Sequence, residues 1–397
     1  MSHRLDLTLP DALQGNWNYP TTIRMGCGRL NELPFVCKSM GIRKPLLVTD
    51  AGLAGMAFVE RAVELIKAEG MNVTLFSDVK PNPTGDNILQ GVEAYKRGGH
   101  DGVIALGGGS GLDAGKAIAL MSGQTHSIWD LEDIGSNWLR ADPAGIAPII
   151  AIPTTSGTGS EVGRASVILD ENEQVKKIIF HPSLMPKVVL ADPEVVTGLP
   201  ANLTAATGLD AFVHCLEAYC APGYHPMADG IALEGMRLIK EWLPEAVNNG
   251  HNLAARSHMM VASSMGATAF QKGLGGVHAL AHPLGALYDA HHGLLNAIIL
   301  PYVLVQNRDA IEGRIEHIAR CLGLEEVTFD GFMTWLLGFR KQLNIPDTLA
   351  DIGITTEDRV KVGGMAFEDP SASGNPIKLS ADEYALLFCH AVDGIME

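Results

Sequence analysis

Residues 101–116, DGVIALGGGSGLDAGK, run from an apolar segment into a block of glycines and out into a helical pattern. Few architectures accept such a stretch. A short, continuously apolar strand must be covered on both faces. The glycines then let the chain turn tightly, and the helix that follows packs back onto the sheet. The theme recurs along the first half of the chain. PLLVTD (45–50) and NVTLF (72–76) read as strands, and residues 54–69 carry a helical pattern that stops at Gly70. DNILQGVEAYKRGG (86–99) is helical with glycines at its end, and GIAPIIAIPTTSGTGSE (145–161) is again a strand entering a loop of small residues. Strands alternating with helices predict an α/β domain with a mostly parallel, Rossmann-like sheet and helices on both faces.

The texture changes near residue 200. LPANLTAATGLDAFVHCLEAYC (199–220) opens with a proline and continues with a helical period. Helix-like segments follow at 227–247, 252–270, 309–322, 330–344 and 380–394. The expected organisation is therefore an α/β domain over 1–198 and an all-helical domain over 199–397. No repeat of fixed period and no heptad array interrupts it.

Bulk properties remove several functions. Hydrophobic residues make up 47% and charged residues 19%, which suits a packed globular chain rather than a disordered one. The formal charge of -16, without basic clusters, argues against a nucleic-acid partner or a membrane surface. No apolar run reaches the roughly 20 residues of a membrane helix, and MSHRLDLTLPDALQG at the N-terminus has no apolar leader pattern. The cysteines at 27, 37, 215, 220, 321 and 389 form no CxxC pair. Scattered thiols fit a reducing cytoplasm better than a disulfide framework or a cysteine metal site.

Both glycine loops suggest a nucleotide. In GGGSGLDAGK (107–116), Gly109, Gly111 and Ala114 satisfy a GxGxxA spacing. Glycines there let backbone approach a diphosphate at a helix N-terminus. A phosphate loop of the GxxxxGK[ST] type fails, because Ser110 stands where its first glycine is needed and Ala117 follows Lys116. PTTSGTGSE (153–161) offers the hydroxyls of Thr154, Thr155, Ser156 and Thr158 after a second strand. Asp50 ends the strand LLVTD. It reads either as a turn and capping residue or as the acceptor for an adenine ribose, a carboxylate that would favour NAD over NADP.

The second half concentrates imidazoles. GGVHALAHPLGALYDAHHG (275–293) holds His278, His282, His291 and His292. Asp210 and His214 have the i, i+4 spacing that sets two side chains on one helical face, among Leu209, Phe212, Val213 and Leu216. An unpaired aspartate in such surroundings is costly. Asp210, His214, His278 and His292 make an oxygen–nitrogen donor set suited to Fe²⁺ or Zn²⁺, and the spacing does not choose between them.

These segments carry a resemblance. PNPT (81–84), GGGSGLDAGK (107–116), PTTSGTGSEV (153–162), GLDAFVHCLEAY (208–219), GLGGVHALAHPLGA (273–286), HHGLLNA (291–297) and DPSASGNP (369–376) occur in one order over nearly the whole chain. In that combination the sequence resembles the iron-containing, group III alcohol dehydrogenases. The resemblance implies an N-terminal dinucleotide-binding domain of dehydroquinate-synthase-like type and an all-α metal-binding domain. It implies Asp210, His214, His278 and His292 as metal ligands, with Fe²⁺ ahead of Zn²⁺. His282 would be a non-ligand catalytic residue that relays a proton or positions the nicotinamide; on its own it reads equally as a packed, hydrogen-bonded core histidine. Asp50, Asn82, Gly108, Gly109, Ser110, Thr154, Thr155, Thr158 and Lys176 would contact NAD, with Lys177 leaving the register of Lys176 open. Two positions depart from the pattern: His291 replaces a common proline, and Gly163 replaces a common hydroxyl residue.

The implied activity is NAD(H)-linked interconversion of a small alcohol and its aldehyde, by a cytoplasmic homodimer or larger homo-oligomer. Lys272, close before His278, reads either as a solvated helix-end lysine or as the holder of a substrate carboxylate, as in succinic semialdehyde and 4-hydroxybutyrate. Rival readings on the same fold are a polyol dehydrogenase of glycerol-dehydrogenase type and a dehydroquinate-synthase-type lyase. A non-catalytic metal-binding protein is a third, and the two glycine loops speak against it.

Overall fold

In the computed structural model, residues 19 and 21–396 are described. The N-terminal stretch read above as lacking a leader pattern lies outside them. The chain divides into two compact units at Leu199 and Pro200.

The first unit alternates strand and helix: β1 (Thr22–Met25), α1 (Leu33–Ser39), β2 (Pro45–Val48), α2 (Ala57–Ala68), β3 (Thr74–Phe76), α3 (Gly85–Gly98), β4 (Gly102–Gly107) and α4 (Gly109–Met121). Then come β5 (Ile149–Pro153), β6 (Ala165–Asp170), β7 (Val175–Phe180) and β8 (Val188–Ala191). The main sheet has the order β1-β8-β5-β4-β2-β3, parallel at every pairing. Its central strands β2, β4 and β5 are buried throughout, which is why they read as continuous apolar runs. From β2 the chain moves outward to β3, then returns to the other side of β2 as β4 and continues to β5. The order therefore reverses between β2 and β4, and the loops leaving these two strands flank the crevice where open α/β sheets bind ligands. Those loops carry Asp50 and the first glycine run.

An element absent from the sequence expectation is the antiparallel hairpin β6–β7, paired from Ala165↔Phe180 to Asp170↔Val175. Its strands are only half-buried, so the apolar pattern is weak. Leu169 N–H donates to the Pro83 carbonyl at 2.8 Å, which ties the hairpin to the PNPT segment.

The second unit is helical: α5 (Ala201–Cys220), α6 (Pro226–Asn248), α7 (Leu253–Ala269), α8 (Gly276–Tyr288), α9 (His292–Cys321), α10 (Phe329–Gln342), α11 (Arg359–Glu368) and α12 (Ala381–Asp393). Helix α5 is buried continuously from Thr204 to Cys220 and packs against α6, α7 and α9. An all-round apolar helix belongs at the centre of a bundle, and this one brings Asp210 and His214 there. The helix expected at 309–322 is the end of a longer one. Helix α9 starts at His292 and runs through Pro301. A proline inside a helix forfeits a hydrogen bond; here the run from Leu295 to Leu304 is buried, and its packing outweighs that loss.

Candidate active site

The glycine loop after β4 is shaped by what its neighbours leave no room for. Gly107 has φ +155°, and a Cβ there would lie 3.2 Å from the Gly111 Cα and 3.7 Å from Oδ2 of Asp50. At Gly109 a Cβ would lie 2.7 Å from Cγ2 of Thr158, and at Gly108 one would lie 3.0 Å from Cγ2 of Thr155. The two loops expected to bind a nucleotide are thus in contact with each other. Thr154 N–H donates to the Gly107 carbonyl at 2.9 Å, and the Ser110 hydroxyl donates to the Pro81 carbonyl. Asn82, beside Pro81, is half-buried at the same place. No side chain caps the N-terminus of α4, so its first-turn N–H groups are aimed where an anion would sit. Loop geometry and helix N-terminus fit a dinucleotide phosphate. Asp50 accepts from Leu53 N–H at 3.1 Å, and burial raises its carboxyl above the usual range despite that bond.

Lys116, set aside above as a failed phosphate lysine, has a different task. Its side chain is 1% exposed, and its ammonium donates to the carbonyls of Ser160 and Ala165 and pairs with Asp113. Asp113 in turn accepts from the Ser160 hydroxyl and from Val167 N–H at 3.0 Å. Together they fasten the second loop and β6 to α4. On β7, Lys177 pairs with Asp170 and Glu173, each at 2.9 Å, and lies over the Trp129 ring. Side chains alternate along a strand, so Lys176 faces the other side of the hairpin from Lys177.

In the helical unit, α5, α8 and α9 converge. Asp210, His214 and His278 each offer a ligand atom, all within 4.8 Å of one another. Oδ1 of Asp210 lies 3.7 Å from Nε2 of His214, 4.0 Å from that of His278 and 3.8 Å from that of His292. His292 is not in that mutually close set of three, but its distance places it around the same aspartate oxygen. Gly293 allows the approach: a Cβ there would lie 2.6 Å from the Ala206 carbonyl oxygen. Burial and the nearby His214 hold the His278 imidazole well below its usual pKa, hence neutral and able to ligate.

Asn296, one turn beyond His292, tests the fit. Its Nδ2 lies 2.7 Å from Oδ1 of Asp210 and 3.1 Å from Nε2 of both His278 and His292. An amide has two protons and here faces three acceptors, while its own buried Oδ1 has no partner. A buried cluster of acceptors short of positive charge suits a cation.

Two carboxylates brace the histidines. Oε2 of Glu217 lies 2.6 Å from Nδ1 of His278, and burial raises the Glu217 carboxyl to about 7 against the backbone N–H groups that stabilise its charge. Nδ1 of His282 lies 2.8 Å from Oδ2 of Asp369. Burial pushes the Asp369 carboxyl up, but His282 and Ser371 outweigh it and hold it below the usual range. The His282 ring stacks on that of His292 with centroids 5.3 Å apart.

Two expectations meet a different geometry. The Lys272 side chain is 2% exposed; its ammonium pairs with Asp229 and donates to the Tyr219 carbonyl at 3.1 Å. It is neither the solvated lysine nor an unengaged cation awaiting a carboxylate. His291 caps α9: Nδ1 accepts from Leu294 N–H at 3.3 Å, with φ −66°, the angle a proline would adopt. That explains how histidine replaces the common proline. Glu217, Asp369 and Asn296 were not singled out from sequence. Glu217 was legible, lying seven residues after Asp210 and three after His214 on the same helical stripe. Asn296 was too, at i+4 from His292. Asp369 was not, since 87 residues separate it from His282.

Comparison with known proteins agrees in both halves. Residues 20–193 match the family Iron-containing alcohol dehydrogenase, and residues 204–392 match the Fe-containing alcohol dehydrogenase family, C-terminal. The chain is 39% identical to the 4-hydroxybutyrate dehydrogenase of Cupriavidus necator, over 92% of this chain and 97% of that one. It is 34% identical to the NAD-dependent methanol dehydrogenase of Bacillus methanolicus, over 95% and 100%. Among solved structures, a 1,3-propanediol oxidoreductase superposes with a TM-score of 0.90 at 34% identity, covering 95% of this chain and 100% of its own. A parallel sheet with glycine loops, a helical unit gathering aspartate and histidines, and matches over both units lead to one assignment: the chain belongs to the iron-containing alcohol dehydrogenases, as an NAD-dependent, metal-dependent oxidoreductase of small alcohols and aldehydes.

Proposed function

We propose that this enzyme interconverts a short primary alcohol and its aldehyde with Asp210, His214, His278 and His292 as ligands of one Fe²⁺ ion, Zn²⁺ being the alternative. The observation that carries the reading is the convergence of one carboxylate oxygen and three imidazole Nε2 atoms at 3.7–4.0 Å around a buried aspartate. In this assignment the first unit is the NAD-binding domain and the second the metal domain. Asp50, Asn82, Gly108, Gly109, Ser110, Thr154, Thr155, Thr158 and Lys176 form the dinucleotide site. Asp50 accepts from the adenine ribose and repels a 2′-phosphate.

When bound, the divalent ion supplies Lewis acidity toward the substrate oxygen, roughly several kcal/mol, and NAD supplies the hydride acceptor. The protein does the rest. Asp210 contributes the one negative charge among the ligands, leaving a net positive site that favours an alkoxide. Asp369 accepts a hydrogen bond from Nδ1–H of His282, so Nε2 carries the lone pair and accepts the proton of the alcohol, or returns it in the reverse direction. The stacked His292 and the Asp369 bond keep that imidazole from rotating.

For the substrate we favour a hydroxy acid and semialdehyde pair, 4-hydroxybutyrate and succinic semialdehyde. The 4-hydroxybutyrate dehydrogenase relative supports it; Lys272, paired with Asp229, would hold the carboxylate only by leaving that partner. The chain's cysteines are all free thiols, in keeping with a cytoplasmic enzyme, and we expect a homo-oligomer, which light scattering reads directly. The test is NADH oxidation with succinic semialdehyde, butanal and propanal on metal-stripped protein reloaded with Fe²⁺, Zn²⁺ or nothing. Metal-dependent turnover with Fe²⁺ best and succinic semialdehyde preferred supports the whole reading. Equal rates with the neutral aldehydes end the hydroxy-acid assignment. NADH binding without turnover under either metal moves the site to the polyol or lyase chemistry.

A further inference from the structure

Glu217 is the buried carboxylate that the mechanism above leaves without a task. It sits on α5, on the stripe that carries Asp210 and His214, with its side chain 5% exposed. Both of its oxygens are used. Oε2 accepts from Gly275 N–H at 2.9 Å and contacts Nδ1 of His278 at 2.6 Å, while Oε1 accepts from Val277 N–H at 2.7 Å. All three partners belong to the start of α8. A Cβ at Gly275 would lie 3.0 Å from Oε1, so glycine is what lets the backbone reach the carboxylate.

The contact decides a tautomer. Both oxygens of Glu217 accept backbone N–H bonds, the arrangement that suits a carboxylate, and a carboxylate only accepts, so the 2.6 Å contact is made by a proton on Nδ1 of His278. Nε2 is then the nitrogen with the lone pair, and it is Nε2 that faces Asp210. The opposite tautomer would set the Nδ1 lone pair against a carboxylate oxygen, and its protonated Nε2 could not ligate. Resting on the metal assignment proposed above, we propose that Glu217 is a positioning residue for the metal site: it fixes His278 in the ligating tautomer and holds the first turn of α8 at the distance that lets Nε2 reach the ion. Carboxylates behind metal-bound histidines commonly act this way.

The test uses the full-length protein and Zn²⁺ as the probe. Glu217→Gln keeps the shape, and its carbonyl still accepts from Val277. Its amide, however, donates toward Nδ1 and selects the tautomer with Nε2 protonated. Zn²⁺ affinity, measured by competition with a chelator, should fall about 10–100-fold. The visible absorption of the Co²⁺-substituted protein should change, while NADH affinity stays within twofold of wild type. If Glu217 merely caps α8, the melting temperature drops but Zn²⁺ affinity and the Co²⁺ spectrum do not move, and the proposal is overturned. A second measurement does not depend on the variant folding: ¹⁵N spectra of the His278 ring in metal-free wild type should show Nδ1 protonated, and Nε2 protonated there defeats the idea. Wild-type protein that binds no divalent ion sinks the metal assignment as well, whereas tight wild-type binding equalled by the variant sinks only the role of Glu217.

Discussion

The two proposed sites, one in each unit, are built by opposite means. In the first, the chemistry comes from missing side chains: Gly107, Gly108 and Gly109 open the backbone, and Cβ atoms there would meet Gly111, Thr155 and Thr158. In the second, it comes from side chains projected inward, Asp210, His214, His278 and His292, from helices packed closely enough for their tips to meet. A backbone site presents many weak, similar donors, so losing one is tolerated. A side-chain site has few members, each worth a large share of the function. The two should therefore fail differently, and separately, when single residues are changed.

The largest expected effect lies at the side-chain site. Asp210→Asn removes the ligand charge and should cost turnover by about 10³-fold, the scale of several kcal/mol of Lewis-acid stabilisation. NADH affinity should hold within twofold. Metal analysis beside NADH fluorescence titration reads both, and parallel loss of NADH binding would show that the two sites are not built independently. Next is His282→Ala, which should retain the metal while lowering kcat about 10²-fold. Loss of the metal instead would make His282 a ligand. Asp369 adds a pH signature. Its carboxyl is held below its ordinary value, so the stability from the His282 pair is fully present above the unfolded carboxyl's pKa, about 3.9. It is lost as pH falls through the lower folded value. Thermal melts of wild type and Asp369→Asn should therefore converge in acid and separate toward neutrality.

The same contrast explains what could be read from the sequence. Strands β2, β4 and β5 were legible because burial on both faces makes them unbroken apolar runs. The hairpin β6–β7 was not, because its half-buried strands lack that signal. Histidines among apolar residues stand out one by one, and i, i+4 spacing pairs Asp210 with His214. What spacing cannot reveal is a partner from a distant helix. Asp369 meets His282 only because α8 packs beside the turn that follows α11. In the glycine loop, GxGxxA spacing pointed to Gly109, Gly111 and Ala114. The close contact with β4 is made by Gly111, whose Cβ would lie 3.0 Å from the Leu106 carbonyl, and by Gly115, which that spacing leaves out and whose Cβ would lie 2.5 Å from that of Ala105. Glycine identity says that something is near, but not what.

A smaller effect is expected in the backbone site. Gly109→Ala inserts a methyl 2.7 Å from Cγ2 of Thr158. The threonine must turn or the loops must part, a strain of about 1–3 kcal/mol. NADH affinity should weaken about tenfold with metal content unchanged. Pairing it with Thr158→Ser, which removes the crowded methyl, should recover most of that loss. No recovery would mean that the alanine acts through the start of α4 rather than through loop contact.

The smallest functional effect is predicted at Lys272, and it sharpens the substrate question. The lysine is buried, and its partner Asp229 is partly exposed, with 26% side-chain accessibility. Lys272→Met keeps the length of the side chain but leaves Asp229 and the Tyr219 carbonyl with Arg314 as their remaining cation. Breaking a fully buried pair costs about 3–5 kcal/mol; water at Asp229 reduces this to about 2 kcal/mol here, a fall of several degrees in melting temperature. The ratio of kcat/KM for succinic semialdehyde over butanal should stay within twofold of wild type, because an ammonium already held by a carboxylate and a carbonyl has little left for a substrate. A collapse of that ratio with little change in stability would reverse the assignment, and would mean that Lys272 leaves Asp229 when an acidic substrate arrives.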